Sequence, residues 1–277
     1  MSIDVSNKFT RLEENLQTVV VGKPEVIRLC LTALLAGEHI LLEDIPGVGK
    51  TLMAKALARS IDGEFSRIQF TPDLLPSDIV GNVIYDSKSG SFTFTPGPLF
   101  ANVVLADEIN RAPPRTQSAL LEGMSDGQVS MDGETHNLPQ PFLVIATQNP
   151  FEFEGTYILP ESQLDRFLIR LSIGYPSRED ELTVLISHRQ GEPVEQLTPV
   201  VTVNDITEMQ SRVRQIDVEA SINDYILELV GATRESDELR LGVSTRGALA
   251  MYRASQPWAL LAGRDYVTPD DIKYLAV

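Results

Sequence analysis

Leu42-Glu43-Asp44-Ile45-Pro46-Gly47-Val48-Gly49-Lys50-Thr51 is the stretch on which the reading of this 277-residue chain turns. It follows a short apolar run, residues 39–43, and leads into a helical pattern at residues 53–61. Gly47 and Gly49 let the backbone curl so that successive N–H groups face one point, and the start of a helix adds partial positive charge there. Such a loop cradles phosphate. Lys50 can reach the outer phosphates, and the Thr51 hydroxyl can bind Mg²⁺. Pro46, Gly47, Val48, Gly49, Lys50, Thr51 and Leu52 are therefore candidate nucleotide contacts. The usual motif has a further glycine at the position that Asp44 holds here, while Pro46-Gly47 still supplies a turn.

Four more apolar runs work outward from this loop: residues 66–70, 102–106, 142–146 and 167–173. With residues 39–43 they predict five buried strands, each short and mostly bounded by turn residues. Helical segments at 53–61 and 115–126 lie between them, which predicts βαβ units and a parallel sheet covered by helices. Residues 79–94 alternate apolar and polar around Ser87-Lys88-Ser89-Gly90, and residues 127–138 do so around Asp132-Gly133. Both read as hairpins inserted into the α/β pattern.

Beyond Tyr175 the strand signal fades. Ser177-Arg178-Glu179-Asp180 reads as a capping box for a helix to about His188. Asn204 is placed to cap a helix to about Ile216, and Ser221 with Asp224 to cap one over 222–233. Thr268-Pro269-Asp270-Asp271 opens a last helix, with Pro at its first position. Pro257 predicts a break or kink near Gln256. The expectation is an α/β core over 1–175 and a small all-helical domain over 176–277. Without a terminating signal in the last helix, a truncated C-terminus is expected.

A phosphate loop needs an acidic partner at the end of another strand. Val103-Val104-Leu105-Ala106-Asp107-Glu108 supplies one, because ligands of open α/β sheets gather at the C-terminal ends of strands. Asp107 is expected to hold Mg²⁺ through water beside Thr51, and Glu108 to polarise the attacking water. The run over 142–146 ends in Thr147-Gln148-Asn149-Pro150, where the Asn149 amide could meet both the γ-phosphate and that water.

Composition narrows the class. The formal charge of −16 opposes generic coating of nucleic acid. The single cysteine, Cys30, excludes a disulfide framework and reads as a buried hydrophobe. Met1 to Thr10 lack a secretory pattern, and there is no apolar run of about 18 residues, so a cytoplasmic protein with no membrane span is expected. His39, His136 and His188 show no metal-ligand spacing.

These residues resemble the AAA+ ATPases, and in detail the MoxR family, related to the magnesium chelatase ATPase subunit. The resemblance runs from Val19-Val20-Val21-Gly22 to the C-terminus. Its most specific stretches are residues 42–51, Asp107-Glu108-Ile109-Asn110-Arg111-Ala112-Pro113, Ala146-Thr147-Gln148-Asn149-Pro150 and Leu164-Asp165-Arg166-Phe167. It implies a P-loop sheet with strand order 5-1-4-3-2, a helical lid, a helix-2 insert at 79–94 and a pre-sensor insert at 127–138. It implies that Val21 and Gly22 pack on adenine, that Asn149 is sensor 1, that Arg246 is sensor 2, and that Arg166 is an arginine finger acting on the nucleotide of a neighbouring subunit. Arg170, Arg111 and Arg115 are the alternatives for that finger. The resemblance also implies ATP and Mg²⁺ as cofactors, a hexameric ring, chaperone action that matures or activates a client protein, and a partner with a von Willebrand A-type domain. Two other readings stand beside it: a nucleotide-gated switch without useful turnover, and a DNA-translocating motor, against which the acidic charge counts.

Overall fold

The computed structural model describes residues 3–87, 90–150 and 155–276. Two helices, α1 (Ile3–Gln17) and α2 (Pro24–Ala36), precede β1 (Ile40–Glu43) and α3 (Lys50–Ser60). Then come β2 (Phe65–Gln69), α4 (Pro76–Val80), the hairpin β3 (Gly81–Asp86) and β4 (Ser91–Pro96), β5 (Val103–Asp107) and α5 (Pro114–Asp126). A second hairpin, β6 (Gln128–Met131) and β7 (Glu134–Asn137), leads to β8 (Leu143–Gln148), α6 (Glu161–Leu164) and β9 (Ile169–Leu171). The rest is helical: α7 (Arg178–Ser187), α8 (Val203–Val213), α9 (Ala220–Glu235), α10 (Thr245–Leu261) and α11 (Pro269–Leu275).

β2, β5, β8, β1 and β9 form one parallel sheet in that spatial order. Counted by sequence within the sheet, the order from the other edge is 5-1-4-3-2, as expected. Successive side chains of a strand point to opposite faces, and the buried residues sort accordingly. Ile40, Leu42, Val103, Leu105, Leu143 and Ile145 belong to a core shared with α1, α2, α3 and α8–α11. Leu41, Val104, Ala106, Val144 and Ala146 belong to a second core, under α5. Continuous apolar runs in β1, β5 and β8 are thus the mark of strands covered on both sides. β2 departs from this expectation: only Ile68 is buried, because β2 is an edge strand.

The helices α8–α11 pack on the same face of the sheet as α1 and α2. Gln210 Nε2 donates to Leu34 O at 2.7 Å, Lys8 pairs with Asp205 at 2.8 Å, and Arg253 pairs with Glu38 at 2.5 Å.

Four local expectations are corrected. Thr202, not Asn204, caps α8: its hydroxyl accepts from Asp205 N while the Asp205 carboxylate accepts from Thr202 N, a reciprocal box that starts the helix earlier. α9 starts at Ala220 with no side-chain cap, and Ser221 lies inside its exposed first turn, where water can serve the open N–H groups. Of the break or kink expected at Pro257, the break does not occur: α10 is one continuous helix over Thr245–Leu261. Burial against α2, α9 and α11, and the Gln256 side chain's bond to Ile216 O at 3.0 Å, hold that turn despite the lost hydrogen bond. The first hairpin begins at Gly81, because Ile79 and Val80 are buried residues of α4. A Cβ at Gly81 would lie 2.3 Å from Thr95 O, so only glycine admits this close approach. Lys88 and Ser89, at the expected tip of that hairpin, lie outside the described residues. In the second hairpin Asp132 and Gly133 both take positive φ, 50° and 84°, as a tight two-residue turn requires.

Candidate functional site: a phosphate loop facing an acidic pair

The site is assembled where β1, β5 and β8 end. Asp44 N still donates to Gln148 O at 3.3 Å, and then the chain leaves the sheet. Gly47 (φ 86°) and Gly49 (φ 95°) make the loop, and Gly49 is the N-cap of α3. Nothing lies within 4 Å of a Cβ built on either glycine, so the backbone angle, not lack of room, requires glycine here. Lys50 folds back on the loop and donates to Asp44 O at 3.0 Å.

The acidic pair faces this loop. Glu108 sits at φ 57°, costly for a non-glycine residue, which turns the chain sharply at the end of β5. Thr147, on the neighbouring β8, bridges the pair: its hydroxyl accepts from Glu108 N at 2.9 Å and donates to Asp107 Oδ1 at 2.7 Å. Gly47, Lys50, Thr51, Asp107, Glu108 and Asn149 line one cavity of about 470 Å³, together with Pro46, Gly49 and Leu52. The loop, the acidic pair and Asn149 are therefore brought together. Val48 does not line the cavity and packs instead against the core.

Two residues that sequence reasoning missed complete the site. Arg67 donates to Asp107 Oδ2 at 2.5 Å, and Gln69 Nε2 donates to Glu108 Oε2 at 2.9 Å. Glu108 also pairs with Arg111 at 3.1 Å. Arg67 and Gln69 flank the buried Ile68, so both project from the open face of edge strand β2, and the register pairs Gln69 with Asp107. The polar-apolar-polar alternation was the available signal.

Other expected residues lie elsewhere. Val21 and Gly22 are outside the cavity; Gly22 packs against the first turn of α7, where a Cβ would meet the Asp180 carboxylate at 2.2 Å. Arg246 does not approach the phosphate loop of its own chain. With Arg166 and Arg253 it lines a separate cavity of about 370 Å³ at the opposite end of the strands, before β1 and β9 begin, because α10 packs along α2 and directs its first turn there. Arg166 Nη1 donates to Leu121 O and Ser125 Oγ, both at 2.6 Å, and its buried Nε has no partner. Arg170 pairs with Glu43, Arg111 with Glu108, and Arg115 is exposed. His39 is structural: its Nδ1 accepts from Val144 N at 3.1 Å, its Nε2 bonds Met124 O at 3.0 Å, and burial lowers its pKa. No group of His, Cys, Asp and Glu among the described residues forms a metal cluster.

A parallel sheet carrying a glycine loop on the first strand and an Asp-Glu pair on the third defines the class as P-loop ATPases. Residues 39–169 match the family described as "ATPase family associated with various cellular activities (AAA)", and residues 231–277 match the AAA lid domain. The chain is 54% identical to Uncharacterized protein YeaC of Bacillus subtilis, over 95% of this chain and 82% of that protein. It is 43% identical to Chaperone MoxR1 of Mycobacterium tuberculosis, over 92% and 69% of the two chains. A crystal structure from Cytophaga hutchinsonii superposes with a TM-score of 0.91 at 42% identity, covering 99% of this chain and 86% of that one. The chain belongs to the MoxR family of AAA+ ATPases.

Proposed function

We propose that this protein hydrolyses ATP with Mg²⁺ and exports the energy as conformational change. One observation carries the reading: the phosphate loop and the Asp107–Glu108 pair open into the same cavity, with Asn149 beside them. Lys50 and the loop N–H groups bind the phosphates, Glu108 orients and deprotonates the attacking water, and Asn149 positions it. The residues fit a hydrated Mg²⁺: Asp107 already has a cation, the Arg67 guanidinium, against one oxygen, and Thr51 opens on the same space. Thr51 and Asp107 would hold the ion, which offsets charge on the phosphates when bound. Residues 1–175 serve as the nucleotide-binding core and 176–277 as the lid.

The work is that of a chaperone acting as a hexameric ring, with Arg166 and Arg246 facing the nucleotide of the next subunit. The relative named Chaperone MoxR1 and the placement of both arginines away from their own phosphate loop support this. A client protein and a partner with a von Willebrand A-type domain are the expected associates. The cytoplasm is the expected compartment; the one cysteine is free and buried, and no helix among the described residues is long and apolar enough to cross a membrane.

Two variants test the chemistry. Lys50→Ala should lose nucleotide binding, because water replaces the charge-assisted donor poorly. Glu108→Gln should bind ATP as the wild type does and turn it over about 10²–10⁴-fold more slowly. Wild-type turnover in Glu108→Gln, or undiminished ATP affinity in Lys50→Ala, would refute the assignment.

A further inference from the structure

Asp44 stands where the phosphate loop usually has glycine, and the mechanism above gives it no role. Its carboxyl group is buried, at 6% exposure, beside a loop built to attract anions. A negative charge there costs free energy unless it is hydrogen-bonded elsewhere. Asp44 Oδ2 accepts from two successive backbone N–H groups, those of Ile173 and Gly174, the latter at 3.1 Å. The carboxylate thus turns away from Lys50, and the ammonium bonds the Asp44 carbonyl instead.

The two N–H groups mark the exit from the sheet. The β1–β9 ladder ends at Leu42 and Leu171. Past that point β9 has no backbone partner on β1, and the Asp44 side chain continues the ladder. Gly174 then takes φ 64° and the chain turns off toward α7. Two more tethers hold the same segment: Lys23 Nζ donates to Tyr175 O at 2.8 Å, and Gly22 packs on the α7 turn that Ser177 caps.

We propose that Asp44 is a positioning residue that transmits occupancy of the phosphate loop to the segment leading into α7. The inference rests on the loop binding nucleotide phosphate, as proposed above. A phosphate that draws Lys50 away removes the ammonium from the Asp44 carbonyl. The peptide of Asp44 is then free to shift, and its carboxylate carries Ile173, Gly174 and the start of α7 with it. One residue joins the two events because its backbone meets the lysine and its side chain meets the exit strand.

The test uses the full chain with Mg²⁺ and a fluorescent ADP for affinity, and hydrogen exchange over residues 172–187 with and without ADP. Wild type should bind ADP and show a change in exchange across that segment on binding. Asp44→Gly restores the usual loop residue, so ADP affinity should stay within about threefold of wild type, while the ADP-dependent change at 172–187 is lost. Asp44→Asn keeps an acceptor of the same shape and should retain part of the change, which also serves if the glycine variant does not fold. A role that is only structural would alter exchange equally with and without ADP. The proposal is overturned if Asp44→Gly, or failing that Asp44→Asn, shows the full wild-type response, if both variants lose ADP binding, or if ADP leaves 172–187 unchanged in a wild type that binds it. A wild type that binds no ADP would instead overturn the reading of the loop itself.

Discussion

Thr147 shows at the scale of one residue how the acidic pair is held. A single hydroxyl donates to one acidic side chain and accepts from the backbone of the next, so Asp107 and the strained turn at Glu108 are fixed together. Valine would have the shape without either bond. Cys30 is the opposite case, a reactive group type that the fold makes inert. It is fully buried among the leucines of α2, and burial pushes the thiol up to about 12. The thiolate is the reactive form, so almost none exists at neutral pH. Ellman's reagent should leave the native protein unlabelled and label it once urea unfolds it. Rapid labelling of the folded protein would show that Cys30 is not packed inside α2's buried face.

Among the elements, α8 joins the helical region to α1 through one carboxylate. Asp205 completes the capping box with Thr202 and also pairs with Lys8 of α1. The bond from Lys8, then those from Thr202, lower its pKa from 3.8 to about 2. A depressed carboxylate pKa contributes stability that is present above the unfolded value and is lost as pH falls through the folded one. The contribution should therefore disappear between about pH 4 and pH 2. Thr202→Ala should lower stability by about 1 kcal/mol at neutral pH. In urea denaturation, Asp205→Asn should be less stable than wild type at pH 6, and the gap should narrow as pH drops toward 3. A gap that is constant with pH would remove Asp205 as a linked group.

At the scale of the whole molecule, the strands of the sheet hold Arg166 and the phosphate loop apart. Arg166 precedes β9, and Leu168 N donates to His39 O at the start of β1; the phosphate loop follows the far end of β1. Four residues of strand lie between, roughly 13 Å at 3.3 Å per residue. The proposed trans role of Arg166 rests on that separation: an arginine at one end of the strands would complete a phosphate-loop site only in a neighbouring copy, and head-to-tail contact of that kind forms a ring where its rotation closes. Mixing two inactive variants, Arg166→Ala and Lys50→Ala, after dissociation by dilution or salt should restore part of the ATPase activity, since some interfaces would join an intact loop to an intact finger. If mixed rings stay inactive while wild-type rings survive the same treatment, Arg166 does not act in trans, and Arg111, Arg115 and Arg170 are the next to test.

Local sequence pattern accounts for the parts whose causes are local. Runs of three or four apolar residues in β1, β5 and β8 had to be covered strands, glycines at 47 and 49 had to bend, and Asp132-Gly133 had to turn, because each depends on neighbours a few positions away. What those parts meet depends on the packing of the whole chain. Register across the edge of the sheet brings Arg67 and Gln69 onto the acidic pair, and the end of one ladder gives Asp44 its two partners in β9's exit. Packing of α10 along α2 carries Arg246 to the side of Arg166 and keeps Pro257 inside a continuous helix. In each instance the deciding contact joins residues far apart in the chain, and local pattern carries no record of it.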